Sequence, residues 1–117
     1  MRAVIGLLNY LARRKEARAA PLPKTPLEKL ALRLELIAAM LPKVDGLGFW
    51  RGWLRNHARQ IRAGSPALRD IISFLDARSP FGDAVLYHVP RDAQVLDVIW
   101  ATRRLAEEIA ADHRANR

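Results

Sequence analysis

The chain has 117 residues, 20 of them Lys or Arg against 12 Asp or Glu, a formal net charge of +8, half of its residues apolar and no cysteine. That is enough chain for one domain, which can bury roughly two thirds of its unfolded surface without staples. Structural disulfides and thiolate metal sites are excluded, and no apolar run approaches the roughly 20 residues a membrane-spanning helix needs.

The first segment, residues 3–18, reads as a helix: Val4, Leu7, Leu8 and Leu11 recur at helical spacing, with Ile5 and Ala12 beside them. Beyond Ala12 it turns basic through Arg13, Arg14 and Lys15. The leucines are expected to dock this helix on the core. The alternative is an amphipathic helix on an anionic surface. The basic cluster stands where a cleavage region would be small and neutral, so the segment is read as part of the mature protein rather than a signal peptide. Residues 19–25, AAPLPKT, form a linker in which Pro21 and Pro23 forbid a continuous helix. The expected organisation is therefore a basic N-terminal helix and linker over 1–24 and a helical core domain over 25–117.

Thr25, Pro26 and Glu28 form a start signal: N-cap, N1 proline and capping-box acid. The helix they open runs to about Leu41. Leu27, Leu30, Leu34, Ile37 and Leu41 form one stripe, and Leu32, Leu36 and Met40 a second. A helix apolar on two sides is sandwiched between others, so this one is the predicted centre. After a turn at Asp45-Gly46, a helix is expected from about Leu47 to Ala63, with Gly64 as its stop and Gly52 weakening it by roughly 1 kcal/mol relative to Ala. Ser65 and Pro66 predict the next start, for a helix over 66–78 buried by Leu68, Ile71, Ile72 and Leu75 with Phe74 at its edge. Residues 79–90 are expected to form a short helix or connector; a strand over Val85–Val89 would lack a partner within the chain. The last helix is expected over 91–113, with Val95, Val98, Ile99, Thr102, Leu105, Ala106 and Ile109 as its core stripe. The fold class predicted is all-α: a bundle of four long helices plus one short helix or connector. Leu96 and Trp100 lie outside the last stripe, where the 3–18 segment is expected to cover them. Left uncovered, they would suit a partner protein or a homodimer mate.

The positive charge is concentrated. Residues 1–24 carry net +5 and residues 43–64 net +4, while the rest sums to about neutral. Read at about 100° per residue, the stretch GFWRGWLRNHARQIR has two faces. Arg51, Arg55, Arg59 and Arg62 share one narrow arc; Leu47, Trp50, Trp53, Leu54, His57, Ala58 and Ile61 lie opposite. The arginines span roughly 16 Å of helix axis, and no acidic residue interrupts them. Like charges at i, i+4 cost a few tenths of a kcal/mol each, and guanidinium forks suit phosphate oxygens. The ridge therefore points to nucleic-acid backbone, or to an acidic protein surface, with a merely solvated face as the plain alternative. A membrane surface bound through 3–18 is a weaker reading.

A helix-turn-helix with sequence readout is disfavoured, because the helix after the AGSP turn would present Asp70, Ser73, Asp76 and Arg78, which are near neutral. Trp50 and Trp53 fall on the apolar side and are expected in the core, as is His57. His57, His88 and His113 show no ligand-like spacing, and no Gly-rich phosphate loop, HExxH or GxSxG occurs. Tyr87-His88 near Asp83 is too common a combination to indicate proton transfer. The expectation is a small, non-catalytic, cytoplasmic binding protein with no cofactor and no metal: a nucleic-acid-backbone binder, or else an adaptor or inhibitor of the phage or plasmid accessory type acting on an acidic protein.

Overall fold

The computed structural model describes residues 25–89 and 93–115, all-helical with no strand among them. Five helices follow in order: α1 (Pro26–Met40), α2 (Gly48–Arg62), α3 (Leu68–Phe74), α4 (Pro80–His88) and α5 (Ala93–Ala115). The expected 3–18 helix, with Arg13, Arg14 and Lys15, lies outside the described residues.

α1 begins as its sequence requires. Thr25 is extended and its hydroxyl accepts from the Glu28 N–H at 3.1 Å, with Pro26 at the first turn. Leu30, Leu34, Ile37 and Leu41 are buried, and so is Leu36 of the second stripe, while Leu32 and Met40 are half-buried. α1 packs against both α2 and α5, which makes it the centre of the core. α1 and α2 run antiparallel: Pro42, just past the end of α1, is bonded to Arg51 near the start of α2, and Glu35 is bonded to Arg62 at its far end.

α2 stops at a paired closure. Gly64 has φ +89°, its N–H donates to the Ile61 carbonyl, and the Ser65 N–H donates to the Gln60 carbonyl at 2.9 Å. This is the Schellman arrangement. It also explains why the next helix is shorter than the expected 66–78. Ser65 completes the end of α2 instead of capping a start, so α3 begins only at Leu68, after Ala67, with no side-chain cap. At the other end, Asp76 and Ser79 take over the chain. The Arg78 N–H donates to Asp76 Oδ1 at 2.8 Å, and the Ser79 hydroxyl donates to the Phe74 carbonyl at 2.7 Å. Four long helices are thus too many for these residues: α3 has 7 residues and α4 has 9.

Residues 80–88 resolve to helix, not strand. Ser79 caps α4 by accepting from the Gly82 N–H at 2.9 Å, with Pro80 in the first turn. Gly82 is where the chain passes closest to itself: a Cβ there would meet the Asp76 and Ala77 carbonyl oxygens at 2.5 Å. The far end of α4 rests on the α1–α2 turn, since a Cβ on Gly46 would stand 2.7 Å from His88 Nε2. α5 packs against α1 and α3. Thr102 is fully buried and satisfies its hydroxyl by donating to the Val98 carbonyl at 2.6 Å. Arg103 bridges to Asp76 Oδ2 at 3.0 Å, tying α5 to the α3–α4 turn.

Two glycines should therefore respond oppositely to the same change. Gly82→Ala is expected to destabilise the fold by about 1–3 kcal/mol, because the obstructing atoms are backbone. Gly52→Ala, exposed within α2 with nothing within 4 Å of its Cβ position, is expected to stabilise it by roughly 0.5–1 kcal/mol. Urea denaturation midpoints of the two variants against the parent test both.

Candidate functional site

The apolar side of α2 is anchored by rings. Trp53 lies flat against Phe74 of α3, with centroids 3.6 Å apart and planes 5° apart, and His57 stacks on Trp53 at 3.6 Å. Phe74 stacks in turn on Phe81 of α4 at 4.3 Å. Trp50 meets Phe74 at 5.6 Å and Phe81 at 6.1 Å. Leu54, His57, Ala58 and Ile61 are buried, and both tryptophans pack half-buried against the core. The two indoles are thus packing groups. Phe74, expected at the edge of its helix, is instead the ring that joins α2 to α3 and α4.

His57 sits 8 % exposed in this stack, with Nδ1 buried and no hydrogen-bond partner among the described residues. Burial holds its pKa below the ordinary 6.5, partly offset by the Asp70 carboxylate. A ring so placed is a neutral core histidine.

The opposite side carries the four arginines, and the structure divides them. Arg51 Nη2 donates to the Pro42 carbonyl at 2.8 Å, a second bond to an oxygen just beyond the end of α1 that also accepts from the Val44 N–H at 2.9 Å. Arg62 Nη2 pairs with Glu35 Oε1 of α1 at 2.5 Å, and that hydrogen bond raises its pKa above the ordinary value. The two ends of the ridge are therefore fastened to α1. Arg55 and Arg59, one turn apart between them, are exposed, and neither is ion-paired to a carboxylate among the described residues.

Leu96 and Trp100 part company. Leu96 is half-buried and packs on the core, while Trp100 keeps 37 % of its surface exposed. With Arg103, Arg104 and Glu107, Trp100 lines an open cleft of about 300 Å³ on α5. Arg103 is committed there to Asp76 and to Glu107, at 3.0 and 3.3 Å.

Two exposed rings had no role assigned from sequence: Phe49, 72 % exposed, and Tyr87, 81 % exposed. The signal for Phe49 was partial. At helical spacing it shares its stripe with Gly52 and Asn56, at the edge of the polar side of α2, while Trp50 takes the place in the core. Among the described residues no group of three or more His, Cys, Asp or Glu is placed to hold a metal ion. No described helix is long and apolar enough to cross a membrane. No protein-family model matches the chain, and neither a curated protein nor a solved structure matches it.

Two measurements follow from this geometry. Arg51→Ala should cost roughly 1.5–3 kcal/mol of stability, as expected for a hydrogen bond from a charged donor, nearer the lower figure because the site is only partly buried. Arg55→Ala should leave the urea midpoint within about 0.5 kcal/mol of the parent. For His57, a lowered folded pKa means that its contribution is complete above pH 6.5 and declines as pH falls through 6.5 toward the folded value. The parent should thus lose stability as pH falls below about 6.5, and His57→Phe should flatten that slope. An unchanged slope in His57→Phe would place the proton uptake elsewhere.

Proposed function

We propose that this is a small, non-catalytic protein that binds nucleic acid through its backbone, using the face of α2 centred on Arg55 and Arg59. The observation that carries this reading is the division of the ridge. Two arginines are spent holding α1 to α2, while two between them project into solvent and are left without an acidic partner among the described residues. Folding uses Arg51 and Arg62; among the described residues Arg55 and Arg59 make no such contact, and Arg59 has only its favourable place in the last turn. A guanidinium offers a planar fork of donors that pairs with two phosphate oxygens at once. Each phosphate neutralised releases condensed counterions, which supplies affinity without base readout.

Net charge +8 adds a long-range attraction for a polyanion. α3, the helix after the tight turn, presents exposed Arg69, Asp70 and Ser73 and so supplies no concentrated basic reading head. Contacts should accordingly be to phosphate, with weak sequence preference. This function belongs inside the cell, in the cytoplasm, where nucleic acid is met.

Fluorescence anisotropy with a labelled oligonucleotide at two salt concentrations tests the reading. Binding should weaken steeply as salt rises. Arg55→Glu combined with Arg59→Glu should abolish it at salt where the parent binds, with the helical circular-dichroism spectrum unchanged. Absence of binding by the parent at low salt, or equal binding by the double variant, refutes the assignment.

A further inference from the structure

We infer that the ligand is single-stranded, and that Phe49 is the platform on which one of its bases stacks. This rests on the nucleic-acid reading above and adds the class of strand and the residue that selects it.

Phe49 occupies the first turn of α2 and is 72 % exposed, although it belongs to the most apolar class of side chain. Its ring is not loose. It meets Trp50 edge-on at 4.8 Å and 82°, and Trp50 is fixed in turn by Phe74 and Phe81. An anchored ring is thus held out from the core by the residue that fills the core position next to it.

The surface next to the ring is not covered at Gly52 by any described residue. Gly52, one turn on, has no side chain and nothing within 4 Å of where a Cβ would stand. Asn56, Arg55 and Arg59 follow, all exposed, the two arginines without an ion-pair partner among the described residues. Phe49, the side-chain-free Gly52 and these two cations thus lie along about 15 Å of helix at 1.5 Å per residue, Arg59 about 80° and Arg55 about 120° round the axis from Phe49. A second exposed ring stands at the same end: His88 sits over Gly46, just before α2, and Tyr87 meets His88 edge-on at 5.0 Å.

A duplex keeps its base faces stacked inside and offers only groove edges and phosphates to such a surface. Phenylalanine has no donor or acceptor with which to read an edge. An unpaired base does present a π face, and stacking on an aromatic side chain is tolerant of sequence because every base has one. Ring plus guanidiniums is the combination that holds a flexible strand by base and backbone together.

The test is an anisotropy titration of the full chain against a labelled mixed-sequence strand of about 12 nucleotides, and against the same strand annealed to its complement at equal salt. The parent should bind the single strand at least about 10-fold more tightly. Phe49→Ala should weaken single-strand binding by roughly 5- to 100-fold, leave duplex binding and the salt dependence unchanged, and be rescued by Phe49→Trp. Urea denaturation of Phe49→Ala confirms that the fold persists. Equal affinity for strand and duplex, with Phe49→Ala behaving as the parent, overturns this inference and leaves the backbone reading standing. No binding of either form at low salt overturns both, as does a protein partner whose capture survives nuclease while the strand fails to bind.

Discussion

The rotation of α2 about its own axis decides what the molecule shows to its surroundings, and the stack of rings beneath it fixes that rotation. Trp53 lies parallel to Phe74, His57 covers the other part of Trp53, and Phe81 continues the stack into α4. Aromatic pairs of this kind contribute about 0.5–1.5 kcal/mol each beyond the area they bury. A turn of α2 by one residue position, about 100°, would break the ring contacts it makes with α3 and α4: Trp53–Phe74, Trp50–Phe74 and Trp50–Phe81. With Trp50 and Trp53 held inward, the helical period leaves the arginines no direction but outward. The basic face is thus a consequence of packing on the other side of the same helix.

The second constraint is the pairing of α2 with α1, and it acts at both ends of the ridge. Near the start of α2, the Arg51 guanidinium sits where a cation is disfavoured by the helix dipole. The Pro42 carbonyl, just past the end of α1, compensates by accepting its hydrogen bond at 2.8 Å. At the other end, Arg62 lies in the last turn, where a cation is favoured, and reaches Glu35. That pair is partly exposed, 42 % and 22 %, so its contribution to stability is modest. Together the two contacts fix the register of α1 against α2.

Much of this was legible in the sequence because it depends on short-range rules. The start at Thr25-Pro26, the stop at Gly64, the cap at Ser79 and the inward tryptophans follow from cap chemistry and a period of 3.6. What escaped depends on partners distant in the chain. That Arg51 meets Pro42 and Arg62 meets Glu35 cannot be read from a helical wheel, since a wheel gives direction and not what is met there. The length of α3 escaped for a different reason. Ser65 has the hydroxyl of an N-cap, but α3 starts only at Leu68, after Ala67, and Ser65 serves through its N–H in the closure of α2. Leu96 packs on the core while Trp100 stays partly exposed, and the 3–18 segment expected to cover both lies outside the described residues. Phe49 lies at the edge between the two arcs, about 40° from Trp53, where a wheel does not tell whether a ring is covered.

The arginines differ in how far folding explains them. Arg51 bonds the Pro42 carbonyl, Arg62 pairs with a carboxylate, and Arg59 lies in the last turn of α2, where the unsatisfied carbonyls of the helix end attract a cation. Arg55 has none of these reasons. It stands mid-helix, exposed, with Arg51 and Arg59 one turn away on either side, and like charges at that spacing repel by a few tenths of a kcal/mol each. The neighbour at the open end is Phe49, a ring whose exposure also runs against stability, since burying such a side chain is worth about 1.5–3 kcal/mol. Two residues that folding would place differently therefore stand on the exposed side of one helix, about 120° apart round its axis, with Gly52 midway between them. Both are local costs that the proposed nucleic-acid contact would account for in a fold that otherwise satisfies its own rules.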